Sequence, residues 1–320
     1  MTAPFFRRLR AGAGRLKRRV VPTGVMLMYH RVAKVAADPW DITVSPEAFE
    51  QQLQLIAHHR VRLLTAAEMA AALANKRLPK RSVAITFDDG YLDNLVCARP
   101  LLERYGMRAT VFVCASEVGQ PKGFWWDRLG VMVDQAERLP ERVIVDGSEI
   151  DLWGVATDRR EAAHLLWKSL VGHDQQVRDE RLESIARQLG LKRNPVGARI
   201  MNEGELQQLT DGGLIEVASH GWSHRPLSEL PASEQRHEAE RSRNRLEEIL
   251  GRPVAGLSYP HGSRGPNTAA IVRAAGYAYA CGSRPGLVRN GEDLFDLPRM
   301  EVRDGTPEQF ERFLLDHVLS

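Results

Sequence analysis

The feature that most constrains the fold is an apolar run, Val83 to Phe87, that ends at two adjacent carboxylates and a glycine. Val, Ile, Thr and Phe in succession are typical of a strand that is buried on both faces. Gly90 allows the sharp turn that takes Asp88 and Asp89 out of the sheet. The run therefore predicts a central strand that places two acid groups at one end of a sheet.

Two interpretations of the acid pair are open at this point. Asp is favoured near helix N-termini and residues 91–105 have a helical pattern, so the pair could simply begin a helix. However, a second strand-like run, Leu214 to Ser219, ends at His220, and His224 follows four residues later. The second interpretation is that Asp89, His220 and His224 form a metal site.

Strand-like and helical segments alternate along the chain. Ser45 followed by Pro46 is typical of a helix start, and Thr65 with Glu68 has the spacing of a capping box. This alternation favours an α/β fold with a parallel sheet or a (β/α) barrel. If the first strand-like run, Val25 to His30, lies beside the acid strand, His30 at its end reaches the same rim. A structural role for His30 is the alternative.

Residues from about 123 to 200 interrupt the alternation and are interpreted as an insertion beside the barrel. Asp146 and Gly147 lie between two alternating runs and predict a hairpin, which is followed by amphipathic helices. Trp125 and Trp126 near its start could stack on sugar rings or pack in a core, and both interpretations remain open.

The charge distribution argues against a nucleic-acid-binding body. Residues 1–20 form a basic tail with seven Lys and Arg residues and no acid. The positive charge of this tail exceeds the net charge of all 320 residues, which is +3. Residues 21–320, the predicted catalytic domain, are therefore slightly acidic. The tail is either an amphipathic segment on an anionic membrane or a solvated terminus. The charges of the helix predicted over 231–250 are expected to form an ordinary solvated face.

Cysteine use and hydropathy bear on location. The three cysteines are too few and too scattered for a disulfide framework or a cysteine zinc site, and the tail lacks the apolar core of a secretory signal. We expect a cytoplasmic protein, at the inner membrane surface if the tail binds there. Nothing in the sequence predicts an obligate protein partner.

Three motifs occur in order, each after a predicted strand: Thr86–Gly90, His220–His224 and Ser258–Gly262. Together they resemble the polysaccharide deacetylase family, the NodB-type carbohydrate esterases, over roughly residues 25 to 305. Met28–Arg31 and Phe124–Arg128 further resemble a subgroup linked to the assembly of extracellular polysaccharides. The resemblance implies a distorted (β/α) barrel and metal-dependent hydrolysis of N-acetyl groups.

The resemblance also implies a role for each residue of the metal site. Asp89, His220 and His224 are expected to ligate a divalent cation, most readily Zn²⁺, with Co²⁺, Ni²⁺ and Mn²⁺ as alternatives. The i, i+4 spacing predicts that both histidines lie on one side of a single helical turn. Asp88 is the expected general base and His30 the expected general acid.

Five further residues are expected to contact the substrate. Tyr259, Pro260 and His261 belong to the third motif, where a backbone N–H near His261 would hold the oxyanion. Trp125 and Trp126 are the candidates for stacking on a sugar ring.

The chain departs from the family pattern in three places. Ser258 stands where relatives often carry an arginine that orients the base, and Arg299 is the expected substitute. Gly221 stands where many relatives have Ser or Thr. The histidine motif that usually closes the family has no clear match, and His317 fits it only partly.

The predicted function is removal of N-acetyl groups from an amino sugar in a polysaccharide or in a lipid-linked or nucleotide-linked precursor. One alternative is a sugar deformylase or another hydrolase of C–N bonds in small amides. A second is a catalytically inactive carbohydrate-binding protein, which Ser258 and Gly221 suggest.

Overall fold

The computed structural model describes residues 23–155 and 157–319. The predicted basic tail, residues 1–20, lies outside the described residues. No helix within the described ranges is both long and apolar enough to cross a bilayer.

Strands and helices alternate through the first part of the chain. The elements up to the insertion are β1 (Thr23–Tyr29), β2 (Arg31–Val32), β3 (Thr43–Val44), α1 (Pro46–His58), β4 (Arg62–Leu64), α2 (Ala66–Ala74), β5 (Ser82–Phe87), α3 (Arg99–Arg104) and β6 (Ala109–Val113). Those of the segment predicted to be an insertion, called the insertion below, are α4 (Trp125–Gln135), β7 (Arg142–Val145), β8 (Ser148–Asp151), α5 (Arg159–Lys168) and α6 (Gln175–Gln188). The remainder are α7 (Glu203–Leu209), β9 (Ile215–Ser219), α8 (Ala232–Leu250), β10 (Gly256–Ser258), α9 (Thr268–Ala274), β11 (Tyr279–Cys281), β12 (Val288–Arg289), β13 (Met300–Glu301) and α10 (Pro307–Leu314).

One curled sheet of nine strands organises the molecule. Its order is β11, β10, β9, β6, β5, β1 and β12, with β13 paired to β1 and β4 paired to β5. All of these pairs are parallel except β1 with β12. The carboxyl ends of β1, β5, β9 and β10 therefore meet at one rim. This half-barrel confirms the predicted distorted (β/α) barrel.

The segment 297–301 connects the two sides of the curled sheet. Leu297 forms a parallel bridge to Cys281 at the end of β11. Three residues later, Met300 pairs with Leu27 in the middle of β1. Arg299 lies between these two pairings and is thereby delivered to the barrel interior, where its side chain is 1% exposed.

Local signals predicted several element boundaries correctly. The Ser45 side chain caps α1, and Thr65 and Glu68 form the predicted capping box of α2. The hairpin of β7 and β8 turns at Asp146 and Gly147, both with positive φ, as predicted.

The insertion has a hydrophobic cluster of its own, separate from those of the barrel. It is built on helices α4, α5 and α6 and on the hairpin, and it extends to Tyr91 and Cys114 beside the rim. Through these contacts the insertion covers one side of the rim.

Candidate active site

A cavity of about 380 Å³ opens at the rim where the parallel strands end. His30 follows β1, Asp88 and Asp89 follow β5, and His220 follows β9. All four line the cavity together with Arg299 from the segment 297–301, here called the closing segment. The acid pair is therefore part of a site at the sheet edge and does not cap a regular α-helix, since the chain continues through a turn.

Asp88 is held by a bidentate ion pair. Nη1 and Nη2 of Arg299 donate to Oδ1 and Oδ2 of Asp88, both at 2.7 Å. Burial by itself raises the pKa of Asp88, but the Arg299 charge and nearby His220 outweigh it, and the pKa lies well below its usual range. Asp88 is therefore a carboxylate at neutral pH, in a fixed orientation.

The remaining Arg299 contacts explain the serine in the third motif. Arg299 donates from Nε to the Gly282 carbonyl at 2.9 Å and from Nη2 to the Ser258 hydroxyl at 2.6 Å. The hydroxyl also lies 3.4 Å from Oδ2 of Asp88. A small side chain at 258 leaves room for a guanidinium that arrives from the closing segment. The structure thus places Arg299 where the sequence analysis expected an arginine to act.

Asp89, His220 and His224 form a buried cluster. Oδ1 of Asp89 lies 3.5 Å from Nε2 of His220 and 3.3 Å from Nε2 of His224. The ligand atoms of the three residues all lie within 4.8 Å of one another. Oδ1 of Asp89 has no hydrogen-bond partner among the described residues. A buried carboxylate oxygen without a partner is costly, so this donor set fits a bound cation.

The protonation of the imidazoles also fits a cation. Nδ1 of His220 lies 3.0 Å from the Ser258 carbonyl, which can only accept, so Nδ1 carries the proton and Nε2 is free to ligate. Burial lowers the pKa of His220 to about 4 and that of His224 to about 3. Both rings are therefore neutral at pH 7, the form that ligates metals.

The segment between the two histidines is an irregular loop, and the predicted helical turn is wrong. Gly221 has φ +75° and His224 has φ +55°, neither of which continues a right-handed helix. Oε2 of Glu238 in α8 accepts from the N–H groups of Trp222 and Ser223 at 3.0 and 2.8 Å. Its Oε1 accepts from the Ser223 hydroxyl at 2.6 Å. The loop shape is thus fixed by a carboxylate from a helix whose charges were expected to be solvated.

Three site residues other than glycine have a left-handed backbone conformation. Asp89, His224 and His261 have φ of +76°, +55° and +56°. Such conformations cost free energy and persist where the surrounding structure imposes them, most often at functional sites. All three side chains point towards one cavity, which they line.

The predicted substrate residues divide into two groups. Tyr259, His261 and Trp126 line the cavity. The Trp126 ring lies 4.5 Å from the His224 ring, so this tryptophan also packs against the metal cluster. Trp125 is buried, with its ring 5.6 Å from that of Trp126, and does not line this cavity. Pro260 is also buried and does not line the cavity. A Cβ atom placed on Gly221 would lie 3.3 Å from the proline ring, so Pro260 packs against the loop between the two histidines.

The cavity also has lining residues that the sequence analysis did not single out. Trp167 of α5 and Trp40 of the loop before β3 bring two further indoles to its wall. The Trp167 ring lies 5.8 Å from the ring of His261. No local motif marks either tryptophan, and only the packing of the insertion against the rim brings Trp167 there. His317 instead packs on Phe313 after α10, and it is not among the lining residues.

Comparison with protein families identifies the chain. The sequence model described as "Polysaccharide deacetylase" matches residues 75–148 and 180–280, together more than half of the chain. The chain belongs to the polysaccharide deacetylase family. This deacetylase is accordingly a hydrolase of N-acetyl amide bonds in carbohydrates. The matched ranges contain Asp88 and all three residues of the candidate metal cluster, Asp89, His220 and His224.

Curated relatives agree with the family assignment. YxkH of Bacillus subtilis, assigned to the polysaccharide deacetylases, is 21% identical over 88% of this chain and 71% of its own length. The poly-beta-1,6-N-acetyl-D-glucosamine N-deacetylase of Staphylococcus aureus is 30% identical over 112 residues. That match spans 31% of this chain and 38% of the staphylococcal protein.

Solved structures show the same fold. The deacetylase PplD of Streptococcus pyogenes, solved with acetate, superposes with a TM-score of 0.62 at 18% identity, over 93% of this chain and 99% of its own. IcaB of Ammonifex degensii gives a TM-score of 0.60 at 21% identity, over 92% and 96% of the two chains. The barrel of this deacetylase is therefore the family fold.

Proposed function

We propose that this deacetylase removes N-acetyl groups from an amino sugar of a cell-envelope glycan, either in the polymer or in a carrier-linked precursor, with the help of a divalent cation. The observation that carries the proposal is the joint placement of two groups at one cavity: Asp88, ionised beside Arg299, and the cluster around Asp89. The name of the staphylococcal relative supports N-acetylglucosamine as the sugar.

The cation would be held by Asp89, His220 and His224. Two imidazoles and one carboxylate are typical ligands of zinc at sites that keep positions open for water and substrate. When bound there, zinc supplies polarisation of the amide carbonyl and acidification of water. The two histidines are neutral and the carboxylate oxygen has no other partner, so these ligands are prepared for the ion.

The side chains would divide the proton transfers of amide hydrolysis between them. Asp88 accepts the proton of the attacking water, because Arg299 keeps it ionised and fixes the direction of its oxygens. His30, which lines the same cavity and is half-buried, donates a proton to the nitrogen of the leaving amine. Without this proton the amine is a poor leaving group.

A backbone N–H at residue 261 is the proposed donor to the developing oxyanion. In the same loop the N–H of Tyr259 donates to the Cys281 carbonyl at 3.0 Å, and that of Gly262 donates to Tyr259 at 2.8 Å. These two donors are therefore used within the fold. The left-handed conformation of His261 turns its backbone at the cavity wall, where the carbonyl of the substrate would lie.

The test is acetate release from N-acetylglucosamine oligomers, measured after chelation and after stepwise return of zinc. We expect activity to require the metal, Asp88→Asn to abolish activity while zinc binding stays stoichiometric, and Asp89→Asn to lose both. Asp211→Asn, at an exposed position, is the matched control. Undiminished acetate release by the Asp88 variant would sink the mechanism. Formate as the product, or glycan binding without turnover, would instead support the deformylase or the inactive binding protein.

A further inference from the structure

A second cavity, here called the rear cavity, lies behind the active site. Its volume is about 410 Å³, and it is bounded by the insertion, by helix α8 and by the loop that follows His224. Trp126 lines both cavities, and its ring and that of Phe124, which also lines the rear cavity, lie 4.5 and 5.8 Å from the His224 ring. The function proposed above makes no use of it.

Three residues that line this cavity carry hydrogen-bond donors without partners. Among the described residues, Nε of Arg128, Nε of Arg225 and Nε1 of Trp125 are buried nitrogens that have no acceptor, and all three residues line the rear cavity. Arg128 is 4% exposed and Trp125 is 8% exposed. Buried N–H groups that lack acceptors are destabilising, so a ligand that brings acceptors is favoured here.

Two cationic side chains of the cavity lack a carboxylate partner. Arg178 is buried and donates only to backbone carbonyls, from Nε to Leu170 at 3.3 Å and from Nη2 to Val171 at 2.8 Å. The guanidinium of Arg241 lies 3.7 Å above the ring of Trp222. Within the described ranges neither has an ion pair with an acid. Burial and the neighbouring Arg225 lower the pKa of Arg178 to about 10, so it remains charged at pH 7.

Four acids line the rear cavity, and each already has a contact within the fold. Glu117 accepts from the Ser116 hydroxyl at 3.3 Å, and burial raises its pKa. Glu238 accepts three hydrogen bonds from the loop between His220 and His224, here called the metal loop. Asp179 pairs with Arg128 and with Lys122. Asp174 caps α6 by accepting from the Val177 N–H at 3.0 Å. The cavity is thus lined by five Lys and Arg side chains against four acids, which leaves an excess of positive charge. A cation or a purely apolar ligand does not fit this chemistry.

We propose that the rear cavity binds an oxyanion, either a phosphate or the carboxylate of an acidic sugar. The paired N–H groups of an arginine side chain can donate to two oxygens of a phosphate or of a carboxylate at once. The negative charge of either anion would also compensate the guanidinium groups that have no acid partner. Bound there, the oxyanion lies against Trp126 and close to the loop that carries His224. This site is independent of the deacetylation proposed above and can be tested without turnover.

The experiment follows tryptophan fluorescence, because Trp125, Trp126 and Trp222 line the cavity. Inorganic phosphate and glucuronate are titrated separately into the full-length protein at constant ionic strength, with chelator present. We expect saturable binding of one of the two probes, and the tighter one identifies the source of the oxyanion. Arg241→Gln should weaken that binding about 10-fold, and Lys122→Gln should weaken it in the same direction.

Arg236→Gln is the matched control, because Arg236 lies on the same helix, pairs with Glu240 and does not line the cavity. All three variants change exposed side chains, and coincident thermal melting checks that they fold. No saturable binding of either probe, an equal loss in Arg236→Gln, or binding that appears only when zinc is added would each overturn the assignment.

Discussion

The guanidinium of Arg299 donates to both carboxylate oxygens of Asp88 at 2.7 Å across a sequence separation of 211 residues. Arg299→Gln removes the charge that lowers the pKa of Asp88, while burial, which raises it, stays. The pKa of Asp88 should therefore rise, and the base should be protonated in mildly acidic solution. We expect kcat/KM to fall roughly 100-fold or more at neutral pH. Its pH profile should show an acid limb, with activity lost as the pH falls, in a range where the wild type stays active.

The control for this variant is Arg264→Gln, which removes an exposed guanidinium paired with Asp296 in the neighbouring loop. Its pH profile should follow that of the wild type. An Arg299 variant with an unshifted profile would show that the pair is structural only.

Glu238 holds the metal loop through three hydrogen bonds, although its helix is otherwise highly charged and solvated. In Glu238→Gln one side-chain oxygen becomes an amide group that cannot accept, so at least one loop donor is left without a partner. We expect the free energy of unfolding to fall by about 1 to 3 kcal/mol. Zinc affinity should fall roughly 10- to 100-fold, as for other residues that orient metal ligands.

Urea unfolding and competitive zinc titration measure these two effects. Glu240→Gln on the same helix removes an exposed carboxylate and should leave both quantities unchanged. Wild-type zinc affinity in Glu238→Gln would refute a role for this carboxylate in positioning the ligands.

Trp167 comes from the insertion and stands at the cavity wall beside His261. If its indole stacks on the sugar, Trp167→Ala should raise KM for N-acetylglucosamine oligomers roughly 10-fold with little change in kcat. The reason is that the lost contact stabilises the bound substrate and the transition state equally. Steady-state kinetics with oligomers of increasing length measure this. Trp153→Ala serves as the control, since Trp153 is 68% exposed elsewhere on the insertion. A loss confined to kcat would contradict a binding role.

His30 follows β1 and is the proposed proton donor to the leaving amine. His30→Ala should therefore slow hydrolysis of the N-acetyl amide roughly 100-fold or more, while an activated aryl acetate, whose leaving group needs no proton, should be hydrolysed almost normally. Comparing the two substrates for His30→Ala and for His58→Ala, at the exposed end of α1, measures the difference. Equal losses on both substrates would assign His30 a structural role.

Local rules predicted much of this molecule. Ser45, Thr65 and Glu68 act on neighbours three residues away, and Asp146 with Gly147 turns a hairpin by its own backbone preferences. Such features depend on the nearest residues only. The same holds for the strands that end at the rim, because an uninterrupted apolar run specifies a buried strand wherever it pairs.

The rest of the site depends on contacts between distant segments. A spacing of four between His220 and His224 suits a helical turn as well as a loop, and Glu238, which decides between them, belongs to another element. Nothing near Glu238 in the sequence marks it as different from the other acids of α8. Trp167 likewise reaches the cavity only through the packing of the insertion, and its own helix has no motif that indicates a binding role.

The segment that joins β11 to β1 has a consequence for the biosynthesis of the enzyme. A nascent chain that has emerged as far as His261 already contains the cluster around Asp89 and the carboxylate of Asp88, but not Arg299. Such a chain carries the proposed metal ligands but lacks the guanidinium that keeps Asp88 ionised. Unfinished chains, and chains cleaved before Arg299, are thus expected to be hydrolytically silent even with every proposed metal ligand present.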